Sequence, residues 1–126
     1  QVLRPLEKKV RQNLRMPVRF ASFLYPVSGA WRGRRVIVSH DLSCGGIAFF
    51  CEEPLAAGEV VQIVIPVTAE PLLLNARVLR QRPSPEATPL YAAEFEELTR
   101  DEESMVREAV FSLQISSTEE AETGKI

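Results

Sequence analysis

Six short segments of this 126-residue chain are rich in apolar residues, and in most of them apolar and polar positions alternate, whereas residues 47–51 are apolar throughout. Alternation of this kind is typical of β-strands that bury one face. The predicted strands cover residues 18–23, 33–39, 47–51, 59–67, 72–81 and 90–95. The segments between them are rich in Gly and Pro, which favour turns. Residues 82–89 are predicted to form a loop, because a Pro-rich segment cannot join a sheet interior.

A helix is predicted after the last strand. Thr99 and Glu102 have the spacing of a capping box, which marks a helix start. The apolar stripe that follows consists of Met105, Val106, Ala109, Val110 and Leu113. Residues 116–126 are polar and acidic without a period, so we predict that they are disordered.

The chain starts with a basic segment that lacks a clean period. Apolar residues at three- and four-residue spacing indicate that part of residues 1–15 is helical. Because the period is incomplete, we predict that the segment is a flexible arm. Pro17 favours extended backbone at Met16, where the globular part begins.

Six short strands followed by one helix predict an all-β fold. We expect a six-stranded antiparallel β-barrel with a C-terminal α-helix that plugs one opening. A chain of 126 residues is large enough for one domain with its own core. The predicted divisions are a flexible basic arm at 1–15, the barrel with its helix at 16–115, and the acidic tail at 116–126.

The composition is ordinary for a soluble globular protein, with 45% hydrophobic and 25% charged residues. No apolar run approaches the roughly 18–20 residues that span a bilayer, and no signal peptide pattern is present. We therefore expect a cytoplasmic protein. Two cysteines and one histidine are too few for a zinc site, so no metal or cofactor is predicted.

Charge is distributed unevenly along the chain. Residues 1–40 contain nine Lys or Arg and one acid, whereas residues 41–126 contain six basic and sixteen acidic residues. A split of this size makes one region attractive to anions although the net charge is only −2.

Two groups of residues have the chemistry of an anion site that also recognises a base. Arg11 and Arg15 can bind phosphate or the O6/N7 edge of guanine through paired hydrogen bonds. Asp41 beside them does not suit phosphate, but it suits the N1–H and N2–H₂ donors of guanine. Ser43 offers a hydroxyl, and Gly46 allows a ligand to approach the backbone closely. The sequence therefore predicts one anionic, guanine-containing ligand.

Other functions are less consistent with the residues. His40, Asp41 and Ser43 contain the letters of a hydrolase triad, but neighbours in a strand point to opposite faces, so we predict that the protein is not an enzyme. An RNA or single-stranded DNA binder would need exposed aromatic residues, whereas Phe49 and Phe50 lie in an apolar strand. We do not expect nucleic acid as a partner.

The motif Arg11-Gln-Asn-Leu-Arg15, followed by Asp41-Leu-Ser43-Cys-Gly-Gly46, resembles the paired signature of PilZ domains. That signature is two arginines separated by three residues, and then Asp/Asn-x-Ser-x-x-Gly. The resemblance covers roughly residues 8–115 and includes the strands and the terminal helix.

The resemblance implies a bacterial receptor for the second messenger cyclic di-GMP, with a role in motility or biofilm regulation. It implies that Arg11 and Arg15 hold guanine and phosphate, that Asp41 and Ser43 read a guanine edge, and that Gly46 permits close contact. His40 and Cys44 have no role in this interpretation. We expect the arm to close over the ligand and alter contact with a downstream protein or a covalently linked domain. The alternative is a PilZ-like scaffold that binds protein and no nucleotide.

Overall fold

The computed structural model describes residues 15–27 and 33–124, with the side chains of the terminal helix described as far as Ile115. The strands are β1 (Met16–Pro17), β2 (Ala21–Pro26), β3 (Arg35–Leu42), β4 (Gly46–Phe50), β5 (Val60–Ile65), β6 (Leu72–Arg82) and β7 (Leu90–Glu96). The helix, α1, is Arg100–Gly124.

Six strands close into an antiparallel barrel, as the sequence predicts. The hydrogen-bonded order is β3-β2-β5-β6-β7-β4, and pairing between β3 and β4 closes the sheet on itself. The short strand β1 is an addition to the predicted set, and it pairs with the end of β3. Closure leaves no free edge along the six strands, which protects them from pairing with other chains.

The core follows from strict alternation in the central strands. In β5, Val61, Ile63 and Ile65 are fully buried inside the barrel, whereas the residues between them are half-buried on the outside. Each buried Val or Ile side chain stabilises the fold by roughly 1.5–3 kcal/mol. The apolar alternation therefore explains both the strand assignment and the closed shape.

The first predicted strand is interrupted in the structure. Val18 and Phe20 lie between β1 and β2 and still pack against the core. The buried Ser39 hydroxyl bridges the break, because it accepts a hydrogen bond from Phe20 N (2.8 Å) and donates one to Val18 O. β1 and β2 therefore follow the same edge of β3, with one side chain completing the ladder between them.

Strand β3 continues beyond Ser39, where the sequence predicts its end. Ser39 pairs with Phe49 of β4, and the next pair is Asp41 with Ala48, so His40 is an extra residue at a β-bulge. Because a bulge shifts the phase of the side chains, Leu42 enters the core and Asp41 does not. The predicted turn at 40–46 is thus a strand end followed by a tight turn at 43–45.

A second bulge lies in β6, which includes Arg82 although the sequence places that residue in a loop. Val78 pairs with Ala93 of β7 and Arg80 pairs with Ala92, which leaves Leu79 without a partner. The bulge turns Arg80 and Arg82 toward the outside of the barrel, on the side where Ala92 and Leu90 lie.

The capping box at the start of α1 is confirmed. Glu102 N donates to Thr99 Oγ1 (3.1 Å), and Thr99 N donates to the Glu102 carboxylate (2.9 Å). Val106 and Val110 are buried in the barrel core, as the apolar stripe predicts. The helix backbone is described as far as Gly124, and the disorder of residues 116–126 stays a prediction.

The predicted flexible arm lies outside the described residues, except for Arg15. Within the described ranges, no helix is apolar and long enough to cross a membrane.

Candidate ligand-binding site

Asp41 is a buried carboxylate on the outer side of the barrel wall. Its pairing with Ala48, after the bulge at His40, turns its side chain away from the core. Only 7% of the side chain is exposed. A carboxylate buried to this degree needs charged or hydrogen-bonding partners, because an isolated buried charge is costly.

Three cationic or potentially cationic groups contact this carboxylate. Arg15 Nη1 donates to Asp41 Oδ1 at 2.8 Å, and Arg82 Nη1 donates to Oδ2 at 3.2 Å. His40 Nδ1 also lies 2.8 Å from Oδ2. Both carboxylate oxygens are therefore satisfied by the protein itself.

The same partners control the ionisation of Asp41. Burial alone would raise its pKa, but the hydrogen bonds from His40, Arg15 and Arg82 and the positive charge of Arg15 outweigh burial, so the pKa lies below its ordinary value. Asp41 is thus ionised at neutral pH and can only accept hydrogen bonds. It follows that His40 Nδ1 carries the proton in their contact.

The partners of Asp41 are more exposed than Asp41 itself. The side chains of Arg15, His40 and Arg82 are 41%, 36% and 28% exposed. Pairs at the surface are held weakly, so a ligand that donates hydrogen bonds can exchange with these groups without disrupting the core. The site is a buried acceptor covered by partly exposed side chains.

Arg15 is placed at the site by strand β1. Met16 pairs with Leu42 and Pro17 pairs with Asp41, so the residue before β1 lies beside the end of β3. The structure therefore brings together Arg15 and Asp41, which are far apart in the sequence and which the sequence assigns to one site. Arg11 lies outside the described residues, and its role stays a prediction.

Ser43 and Gly46 shape the turn that follows Asp41. The Ser43 side chain is buried, and its hydroxyl accepts a hydrogen bond from Gly46 N (3.1 Å). A Cβ atom at Gly46 would lie 2.3 Å from the carbonyl oxygen of Ala93 in β7. The packing of β4 against β7 therefore requires glycine at this position, independently of any ligand. The ligand contacts that the sequence assigns to Ser43 and Gly46 stay a prediction.

His40 and Arg82 are residues of this site that the sequence interpretation missed. His40 contacts Asp41 because the bulge cancels the rule that neighbours point to opposite faces. Its ring also packs edge-on against Phe50, with 5.5 Å between ring centroids. Arg82 could have been found from its spacing to Arg80, because basic residues two apart in a strand share one face.

The family model for the PilZ domain matches residues 9–112. No curated protein matches the chain.

Several solved structures share the fold. The PilZ domain of YcgR from Escherichia coli, a structure with c-di-GMP, has a TM-score of 0.68 and 19% identity, and the match covers 86% of this chain and 95% of that one. The PilZ domain of CeSA from a cellulose-synthesizing bacterium has a TM-score of 0.63 and 24% identity, with 81% and 99% covered.

The inhibitor of motility MotI/DgrA from Bacillus subtilis has a TM-score of 0.68 and 18% identity, with 84% of this chain covered. This chain spans about half of that protein, 51% of its length. Since the family model covers most of the sequence, and the solved PilZ domains share the fold, this chain belongs to the PilZ domain family.

Proposed function

We propose that this protein is a receptor for cyclic di-GMP and that Asp41 is the acceptor for one guanine of the ligand. The observation that carries the proposal is the buried, ionised carboxylate in contact with Arg15, the described arginine of the motif. Family membership and the structure of E. coli YcgR with c-di-GMP support the same ligand class.

Hydrogen-bond complementarity explains why guanine suits this carboxylate. Guanine N1–H and N2–H₂ are adjacent donors, and the two oxygens of Asp41 can accept both. The incoming base takes the place of the protein's own donors. Arg15 is then free to bind guanine O6/N7 or a phosphate of the same ligand.

The remaining motif residues have supporting roles in this proposal. Arg11 would provide a second guanidinium from the arm. Ser43 and Gly46 lie in the turn beside Asp41, where a ligand can contact backbone groups. Either one ligand molecule or a stacked pair is compatible with these contacts.

Ligand binding is proposed to order the arm. A dissociation constant of one micromolar corresponds to about −8 kcal/mol, and one bidentate Arg–guanine pair contributes roughly 1–3 kcal/mol. The ligand favours the closed arm only through its tighter binding to that state. Closure changes the surface that residues 1–20 present to a downstream protein or a linked domain. In this proposal the protein is a regulatory receptor rather than an enzyme, and it acts in the cytoplasm. Relatives that act on motility and belong to cellulose-synthesizing bacteria suggest the kind of process regulated.

A second candidate is a PilZ-like scaffold that binds protein without nucleotide. One observation favours it, because both oxygens of Asp41 and the Ser43 hydroxyl already have partners within the protein. Such a site is stable without a ligand.

A nucleotide panel tests the two candidates. We expect cyclic di-GMP to raise the melting temperature by mass action, while cyclic di-AMP and GTP leave it unchanged. Calorimetric titration should then show at least about a tenfold weaker affinity for Arg15→Ala. Arg77→Ala is the matched control, since Arg77 pairs with Glu96 and does not contact Asp41. No shift with cyclic di-GMP at saturating concentration would favour the scaffold.

A further inference from the structure

The pair formed by Asp41 and Arg82 depends on two separate β-bulges. The bulge at His40 turns Asp41 to the outside, and the bulge at Leu79 does the same for Arg82. Without the second bulge, alternation from the buried Val78 would direct Arg82 toward the inside. Bulges that aim side chains are frequent beside functional sites.

The strands between these residues leave room for the contact. The register runs from Asp41 to Ala48 on β4, then to Ala92 on β7, and then to Arg80 on β6. The two intervening residues are alanines, so no large side chain separates Asp41 from the arginines of β6. Arg82 uses this space and reaches Asp41 Oδ2 at 3.2 Å.

Arg82 also differs from Arg15 in how it is held. Arg15 precedes a strand of two residues, whereas Arg82 belongs to β6, which has eleven residues and pairs with β7 at this position. Arg82 therefore stays near Asp41 whatever the arm does. A donor fixed beside a ligand-binding carboxylate is positioned to contact the same ligand.

We propose that Arg82 is a further ligand-binding residue, which donates to O6 of the guanine that Asp41 holds. This proposal rests on the cyclic di-GMP receptor function. On the guanine edge, O6 is next to N1–H, so a base bonded to Asp41 through N1–H and N2–H₂ presents O6 to the donor beside that carboxylate. Arg82 exchanges its hydrogen bond to Asp41 for one to O6.

The pair then selects guanine over adenine. Adenine has an amino donor where guanine has O6, and an acceptor at N1 where guanine has N1–H. Adenine would therefore place a donor against Arg82 and a lone pair against Asp41. A site of buried polar groups discriminates strongly against a base that leaves them unpaired.

The test compares cyclic di-GMP with its 6-thio analogue, which keeps N1–H and N2–H₂ but replaces O6 with a weaker acceptor. Wild type, Arg82→Ala and Arg80→Ala are titrated with both ligands by calorimetry. Arg80 is the matched control, because it lies on the same outer face of β6 and is exposed.

We expect Arg82→Ala to bind cyclic di-GMP about tenfold more weakly than wild type, and Arg80→Ala to bind it as wild type does. Wild type should bind the thio analogue about tenfold more weakly than it binds cyclic di-GMP. Arg82→Ala should bind the thio analogue and cyclic di-GMP with nearly equal affinity. Arg82→Lys keeps the charge near Asp41 and should bind cyclic di-GMP with intermediate affinity, which guards against a folding defect in the alanine variant.

Three results would overturn the proposal. Unchanged affinity of Arg82→Ala for cyclic di-GMP would exclude a ligand contact. Losses that multiply when variant and analogue are combined would show that Arg82 does not act on O6. Absence of cyclic di-GMP binding by wild type would instead remove the receptor function on which this inference rests.

Discussion

Replacing Gly46 by alanine is expected to destabilise the fold even without ligand. The new methyl group would lie 2.3 Å from Ala93 O and 3.2 Å from the Cα atom of Glu94. Carbon–oxygen contacts between strands are normally about 3.3 Å or longer, so β4 and β7 must separate by about 1 Å. Both contacted atoms belong to a backbone, which cannot rotate away as a side chain can.

The magnitude follows from three contributions. Overpacking costs about 1–3 kcal/mol. Distortion also strains the bonds of Gly46 to Ser43, at 2.9 and 3.1 Å, each of which contributes about 1 kcal/mol. Alanine restricts the unfolded chain, which offsets about 0.4–1 kcal/mol. The free energy of unfolding should therefore fall by about 2–3 kcal/mol, a large part of the total of a small domain.

Urea unfolding followed by circular dichroism measures this change, and the matched control is Gly45→Ala. A Cβ atom at Gly45 has no neighbour within 4 Å, so this variant should be as stable as wild type or slightly more stable. If Gly46→Ala unfolds within about 0.5 kcal/mol of Gly45→Ala, the steric argument is wrong. A variant that keeps its stability and loses cyclic di-GMP would indicate that glycine serves the ligand instead.

Three further changes test other parts of the structure. The folded pKa of Asp41 lies below its ordinary value of 3.8, so ionised Asp41 stabilises the fold above that value and the contribution is lost as the pH falls. The free energy of unfolding, measured from about pH 6 to 3, should therefore depend less on pH in Asp41→Asn than in wild type. An equal dependence on pH in the two proteins would contradict this. Ser39→Ala removes the hydroxyl that bridges β1 and β2, so the free energy of unfolding in urea should fall by about 1–3 kcal/mol and the Phe20 amide hydrogen should exchange faster. Unchanged exchange would show that the bridge is dispensable. Thr99→Ala removes the helix cap and should lower stability by about 1 kcal/mol, whereas the exposed Ser104→Ala should not; equal effects would exclude a specific cap.

The sequence predicts those parts of the fold that depend on regular periodicity. Periodic patterns over several residues predict the six barrel strands and the apolar stripe of α1. A local spacing of three residues predicts the cap at Thr99. The pairing of Arg15 with Asp41 was also predictable, because their motif spacing resembles that of a known family. These features required no knowledge of long-range register.

The parts that were missed depend on single irregular residues. A bulge adds one residue to a strand and has no fixed composition, so the sequence does not mark His40 or Leu79 as unpaired. Arg82 was assigned to a loop because it begins a Pro-rich segment, and His40 was given no role because neighbours in a regular strand point to opposite faces. The sequence also does not show the steric requirement for glycine at position 46, because Ala93, whose carbonyl oxygen would clash with a Cβ atom there, is distant in the sequence.

The bulge at Leu79 has a consequence for insertions and deletions. Strand interiors normally tolerate neither, because the loss of one residue reverses the facing of every residue beyond it. Deleting Leu79 would remove the unpaired residue, so that Arg80 would follow the buried Val78 directly and Arg80 and Arg82 would still lie on the outer face of β6. Residue 79 is therefore a position at which β6 can lose one residue without changing the facing of Arg82, in contrast to a regular strand interior.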